Sequence, residues 1–312
     1  MYDTLRFNLE GVDIAEGNLF SVIPPLLNDK HKEKNRFHKP CTVGYFHNFR
    51  VICDEFSDRI TFTGSLGKYF FSNNNTQTLT RQTTQEAVER MSNELGFDIG
   101  MGKLTRIDFS TVLPMKHQPK DYYKCLLRLP HYGRTLIDTT LYFNAKSKKV
   151  VFYDKDREMV AKGVKTVDTL QNGNLLRYEL RLIGKIAKQM GRKSVTMKTL
   201  YEKTFYNDMV QLWERKFNDI VKLKCISMET KATTTAMAKK ELLAVLIQAS
   251  GEAGKTIIGN YLEQFEDRAK EQETKRLLSD LKKMEQGEGT ETDNELVKEL
   301  KQAIKDRAKY KH

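Results

Sequence analysis

Apolar and polar residues alternate with a period of two in three segments near the middle of this chain. Successive side chains of a β-strand point to opposite faces. In Leu104 to Ser110, Ile107 and Phe109 point one way, and Arg106, Asp108 and Ser110 point the other. In Leu176 to Leu182, the face formed by Leu176, Tyr178, Leu180 and Leu182 is apolar, and Arg177, Glu179 and Arg181 share the opposite one. In Val150 to Lys155, Val150 and Phe152 lie opposite Val151, Tyr153 and Lys155. Three such strands in one sheet would give a core face and a second face rich in ionisable groups.

The flanking pattern fills in the rest. Met1 to Leu9, Cys41 to Cys53 and Arg59 to Thr63 are strand-like, with β-branched and aromatic enrichment. Asn28 to Lys39 is basic and reads as a loop, and Gly64 to Gly67 reads as a turn before Lys68 to Phe71. Thr83 to Leu95 predicts a helix stopped by Gly96, and Pro119 to Leu129 a shorter helix opened by proline. Ile137 to Phe143 and Lys149 to Asp154 predict a hairpin across Asn144 to Ser147, followed by a strand over Asn174 to Ile183. From Lys185 the period becomes helical, with Val210, Trp213, Phe217 and Ile220 spaced as a buried stripe. The expected fold class is α+β: a largely antiparallel sheet flanked by helices over residues 1–228. A charged, helical C-terminal region is expected over 229–312, entered by a linker at Thr233 to Thr235. Breaks fall at Gly251 to Gly254 and Gly287 to Gly289, and Leu296, Leu300 and Ile304 keep a helical spacing near the end.

Charge changes this picture. Residues 1–230 carry 37 Lys and Arg against 26 Asp and Glu, whereas residues 231–312 carry 16 against 15. Nearly all of the +12 net charge therefore sits on the sheet-forming part, and a pI near 9.3 points to a polyanion, most often nucleic acid. Hydrophobic residues, at 39%, suffice for a core, and 312 residues suggest two units. The cysteines, Cys41, Cys53, Cys125 and Cys225, form no CxxC pair, which excludes a zinc knuckle and a redox motif and fits a reducing compartment. No apolar run follows a basic N-terminal stretch, and the longest apolar segment, Leu242 to Ile247, is far too short to span a bilayer. A cytoplasmic protein without a membrane partner is expected.

The ionisable face suits phosphoryl transfer. Asp108 and Glu179 are hard oxygen ligands for Mg²⁺ or Mn²⁺. The Tyr153 hydroxyl could serve as a nucleophile only with a metal or cation beside it, because a free phenol ionises only near pH 10. Lys155, two residues along the same predicted strand face, could supply that charge or move a proton. Arg106, Arg177 and Arg181 could hold flanking phosphates. The same alternation also suits a sheet that turns one face to water and pairs Arg with Glu across strands, and the pattern leaves both readings open.

At these residues the sequence resembles the phage/plasmid replication proteins, including the gene II/X-type nickases of filamentous phages, and more distantly the Rep_trans plasmid initiators. Thr105-Arg106-Ile107-Asp108, Val151-Phe152-Tyr153-Asp154-Lys155 and Leu176-Arg177-Tyr178-Glu179 stand in that family's order. The opening Met-Tyr-Asp-Thr-Leu and Gly64-Ser65-Leu66 are similar too, so the resemblance covers roughly residues 1–225. It implies a rolling-circle replication initiator, a nicking-closing endonuclease that cuts one strand at an origin and becomes 5′-phosphotyrosyl-linked. Such an enzyme leaves a 3′-OH for a polymerase and later rejoins the displaced strand. Carried over, Tyr153 is the nucleophile with Lys155 as its partner. Asp108 and Glu179 are metal ligands, with Glu158, five residues after the tyrosine, as a third. Tyr142, on the other hairpin strand, is the competing nucleophile. The implied partner is origin DNA; the C-terminal helical region could bind the origin, pair with a second copy of the chain or recruit a host helicase, and the sequence leaves these alternatives open.

The six histidines (His31, His38, His47, His117, His131 and His312) include no pair flanking a single hydrophobic residue, which separates this chain from the HUH nickases. Ala249 to Thr256 matches a loose P-loop, but a helical run precedes it and alanine replaces the first glycine, so a turn between helices is expected. Two rivals stay open: a non-catalytic DNA-binding copy-number regulator, and a mobilisation relaxase using the same chemistry.

Overall fold

In this computed structural model, residues 1–10, 18–72, 77–163, 174–226 and 291–309 are described, with the isolated position 272. The strands run in chain order as β1 (Tyr2–Leu9), β2 (Asn28–Lys34), β3 (Pro40–Phe46), β4 (Phe49–Asp54), β5 (Arg59–Ser65), β6 (Lys103–Pro114), β7 (Leu126–Arg128), β8 (Gly133–Ile137), β9 (Thr140–Asn144), β10 (Lys148–Asp154) and β11 (Leu175–Ile183). Of these eleven, all but β7 join one sheet of ten strands in the order β2-β3-β4-β5-β1-β6-β11-β10-β9-β8, and among the described residues three short strands follow after residue 220. Its pairings are antiparallel throughout, as the alternating patterns predict. The α+β fold with a largely antiparallel sheet is thus observed.

The helices are α1 (Leu19–Val22), α2 (Leu66–Phe70), α3 (Arg81–Leu95), α4 (Pro119–Cys125), α5 (Lys155–Ala161), α6 (Ile186–Gln189), α7 (Lys203–Asn218) and α8 (Glu295–Lys309). Helix α3 opens with a Thr80–Thr83 capping box and closes on Gly96 at φ 78°, the left-handed conformation that glycine adopts at little cost. Helix α7 covers the apolar face of β10 and β11. Trp213 stacks on Tyr178 with ring centroids 4.6 Å apart, Tyr178 stacks on Phe152 at 4.7 Å, and the Tyr178 hydroxyl donates to the Trp213 carbonyl at 2.7 Å. Leu5 and Phe7 of β1 and Ile107 and Phe109 of β6 continue this face, all fully buried. The stripe Val210, Trp213, Phe217 and Ile220 is core, as its spacing predicts. Cys41 and Cys53 are buried free thiols, and Cys125 is buried as well.

Three local readings are corrected. Asn28 to Lys34 is not a loop but the edge strand β2; all seven of its residues are exposed, so no buried face leaves an alternating signature. Gly64 to Gly67 is not a turn: Ser65 ends a strand and caps a helix over Leu66 to Phe70. The helix at Pro119 stops at Cys125, and its predicted remainder contributes to β7.

Two compact units are present. One comprises Met1–Val221 with Glu299–His312; within it Glu299 of α8 accepts from the Tyr122 hydroxyl at 2.7 Å and from the Lys116 amide at 2.8 Å, while Leu300 and Ile304 are buried. The other comprises Lys222–Lys298, whose described part includes an antiparallel pair, Lys224–Ile226 with Glu291–Asp293. The Thr233 to Thr235 linker, the Ala249 to Thr256 turn and the Gly287 to Gly289 break lie outside the described residues.

Candidate active site

Register brings the three polar strand faces together. Tyr153 of β10 pairs with Arg177 of β11, Val151 with Glu179, and Lys149 with Arg181. Across the other edge of β11, Glu179 pairs with Ser110 of β6 and Arg181 with Asp108. Because β6, β11 and β10 are consecutive in the sheet, their second faces form one surface. It lines a cleft of about 290 Å³ that includes Asp108, Tyr153, Lys155, Glu158, Arg177 and Glu179, together with Arg106 and Arg181. Apart from the competing Tyr142, every residue singled out in the sequence as catalytic, metal-binding or phosphate-binding lines it. Tyr142 does not: it pairs with Val151 on β9, one strand further out on the same face.

Lys155 arrives by a different route from the one predicted. Strand β10 ends at Asp154, whose carboxylate accepts from the Arg157 amide and caps α5, so Lys155 is the first residue of a helix rather than a strand residue. Its ammonium is nonetheless buried, with a side chain 3% exposed, and it donates to Glu158 one turn on. Burial lowers the Lys155 pKa, against the opposing pull of Glu158. Glu158 also accepts from Lys162, and these two bonds outweigh its own burial and hold it below the usual carboxylate range.

The carboxylates Asp108 and Glu179 are each only 2% exposed, a costly placement that only paired charges tolerate. Arg106 grips Asp108 with two nitrogens, Nε to Oδ1 at 2.8 Å and Nη2 to Oδ2. Arg181 donates through Nε to Glu179 and stands 3.7 Å from Asp108 Oδ2, so its charge serves both acids. Even so, burial pushes Asp108 up to about 7, against Arg106 and with the help of the Glu179 charge.

Arg177 occupies the centre. It donates through Nη2 to Asp3 and to the Ser110 hydroxyl, and its Nε stands 3.7 Å from Glu179 Oε2 without a hydrogen-bond partner. Its guanidinium carbon lies 5.8 Å from the centroid of the Tyr153 ring. Burial raises the Tyr153 hydroxyl well above the usual phenol range, and the Arg177 charge works in the opposite sense.

Sequence reasoning missed Asp3. The register of β1 against β6 jumps between Tyr2↔Phe109 and Leu5↔Ile107, so Asp3 and Thr4 together oppose Asp108. This bulge turns both into the cleft and breaks the period of two by which a strand face is read. Ser65 and Lys68 were missed as well, since they enter from the β5–α2 junction rather than from a strand face. Ser65 donates to Asp3 at 2.6 Å. The Arg177 guanidinium and this bond outweigh the burial of Asp3 and keep it below its ordinary pKa.

Among the described residues no group of three or more His, Cys, Asp or Glu side chains is arranged to hold a metal ion. The donor chemistry nevertheless fits Mg²⁺ or Mn²⁺. Mg²⁺ sites in nucleotide chemistry use one or two protein carboxylates, with water and substrate phosphate completing the shell. Asp108 and Glu179 are two buried acids on the cleft wall that share the Arg181 charge.

Among solved structures, the chain is similar to a rolling circle replication initiator protein from Geobacillus stearothermophilus. The identity is 15%, the alignment covers 77% of this chain and 90% of that one, and the TM-score is 0.41. No curated protein sequence matches the chain. The phage family described as the N-terminal region of a replication-associated protein matches residues 1–205, a span that takes in β1 to β11 and every residue of the cleft. The chain belongs to this replication-associated family.

Proposed function

We propose that this protein is a rolling-circle replication initiator that nicks and rejoins one DNA strand through Tyr153. The observation that carries the reading is the placement of Tyr153 in one cleft with two buried acids and a set of buried cations, within the span matched by the family. Tyr153 Oη attacks a backbone phosphorus, the bond from phosphorus to the 3′ oxygen breaks, and a 5′-phosphotyrosine and a 3′-OH result. The new ester conserves the bond energy, so the 3′-OH can reverse the step and seal the strand.

Each side chain has a role consistent with its surroundings. Arg177 lies over the Tyr153 ring and favours the phenolate. Lys155, whose pKa is lowered by burial, is suited to take up the phenol proton or to pass one to the leaving oxygen. Glu158 holds Lys155 and Lys162 in position beside the nucleophile. Arg106 and Arg181 can exchange their carboxylate partners for phosphate oxygens. Asp108 and Glu179 would hold Mg²⁺ or Mn²⁺. Such an ion, when bound, neutralises the charge that builds on the phosphate oxygens.

Supercoiled plasmid carrying the element's own origin tests this directly. The protein is expected to convert it to nicked and relaxed circles with Mg²⁺ or Mn²⁺ and to leave it supercoiled in EDTA. Tight binding without any cleavage under either metal would instead mark a DNA-binding regulator.

A further inference from the structure

The β2–β3 hairpin lies outside this chemistry, at the edge of the sheet where β2 has a neighbour on one side only. Lysine along an edge strand is a common guard against pairing with other chains, and that alone would explain Lys30, Lys32 and Lys34. It does not explain the tip. Asn35 builds a tight turn there: its Oδ1 accepts from the amides of Phe37 at 2.8 Å and Lys39 at 3.0 Å, and its Nδ2 donates to Asp54 of β4 at 2.9 Å. Phe37 of this preformed turn packs against Phe56 of the β4–β5 connection; the rings are 48% and 58% exposed, with centroids 5.6 Å apart. A cation covers one face of each. Arg36 lies 4.6 Å from the Phe37 centroid, and Lys39 lies 5.6 Å from that of Phe56.

The charges here differ in kind from those of the cleft. Arg106, Arg177, Arg181, Lys155 and Lys162 all meet carboxylates. Among the described residues, Lys30, Lys34, Arg36 and Lys39 meet none. Of the two acids in the hairpin, Glu33 is already engaged by Arg50 at 2.8 Å and by His31 at 3.0 Å. Four exposed, unpaired cations therefore lie within ten residues, along the sheet-edge strand β2 and the turn that follows it.

We propose that this hairpin is a second DNA-binding element, which holds duplex DNA through its phosphate backbone outside the nicking cleft. Because β3 is paired along its length with β4, the exposed β2 edge and its turn meet the phosphate backbone from outside the groove, and unpaired lysine and arginine supply the contacts. The aromatic pair positions Arg36 and Lys39. With the rings packed on each other and one face of each covered, they are poorly disposed to stack unpaired bases, which favours duplex over single strand. The choice of DNA as occupant rests on the replication-initiator reading, but the test does not require cleavage.

Equilibrium binding of a mixed-sequence duplex of about 30 base pairs, and of a single strand of the same length, would be followed across salt concentration by fluorescence anisotropy. The full chain would be compared with a variant carrying Lys30→Ala, Lys34→Ala, Arg36→Ala and Lys39→Ala. Each lost phosphate contact lowers the log–log salt slope by about 0.9, so the duplex slope is expected to flatten by about 3 to 4. Between 50 and 200 mM salt the wild type would then lose on the order of 100-fold more affinity than the variant. Single-strand binding, nicking of a short single-stranded oligonucleotide and the melting temperature are expected to stay at wild-type values. An unchanged duplex slope overturns the proposal, and so does a slope change confined to the single strand. If the wild type binds duplex with the expected slope difference but never cuts, the initiator reading fails while the hairpin assignment stands.

Discussion

Tyr153→Phe is expected to bind origin DNA as tightly as the wild type and to form no covalent protein–DNA adduct. The substitution removes one oxygen and keeps the ring, so the ring can still face the Arg177 guanidinium and the β10–β11 ladder is untouched. What it removes is the atom that bonds to phosphorus. Loss of a nucleophile in covalent catalysis typically lowers turnover on the order of 10⁴-fold or more, and nicking is expected to fall by at least that much. Tyr142→Phe serves as the internal contrast. Tyr142 lies outside the cleft lining, and its loss is expected to leave adduct formation near wild type. Denaturing gels of radiolabelled origin DNA after incubation with Mn²⁺ read both outcomes. An adduct surviving in Tyr153→Phe would move the nucleophile elsewhere.

Asp108→Asn is expected to separate stability from activity. Asp108 is buried, and burial pushes its pKa from the ordinary 3.8 up to about 7. A group whose folded-state pKa is raised contributes stability that is fully present below its unfolded value and is lost as pH rises through the folded value. The wild type is therefore expected to lose stability between about pH 4 and pH 7 through this group. A change of one in pKa corresponds to about 1.4 kcal/mol, which puts the loss on the order of a few kcal/mol. Asparagine cannot ionise, so Asp108→Asn is expected to melt several degrees above the wild type at pH 8, with the gap closing toward pH 4. Metal-dependent nicking is expected to fall at least about 100-fold, because a neutral amide is a much poorer ligand for Mg²⁺ than a carboxylate. A variant that melts lower at pH 8, or that nicks normally, would contradict this account of the acid pair. Active sites commonly retain such destabilising groups because function requires them.

The part of this site that was legible in the sequence is the part built on regular strands. Arg106, Asp108, Arg177, Glu179, Arg181 and Tyr153 follow from alternation alone once β6, β10 and β11 share a sheet, and register with no offset among these residues makes their faces coincide. Asp3 was not legible because a bulge suspends the alternation where it enters the cleft. Lys155 reaches the cleft by a geometry that alternation does not describe. The Asp154 cap that turns the chain from strand to helix looks in sequence like one more polar residue of the strand. Strand β2 left no pattern because neither of its faces is buried. Periodicity reports burial, and it fails where a segment is wholly exposed or where the ladder slips by one residue.

The central claim is that Tyr153 carries the DNA strand. Mass spectrometry of the trapped adduct, after nuclease trimming and trypsin digestion, tests it most directly. Cleavage after Lys149 and Lys155 releases Val150 to Lys155, in which Tyr153 is the only tyrosine, whereas Tyr142 lies in the separate peptide Thr135 to Lys146. The account predicts a nucleotide phosphate on Tyr153. A modified Tyr142 peptide, or a nicked origin with no modified tyrosine at all, would contradict it.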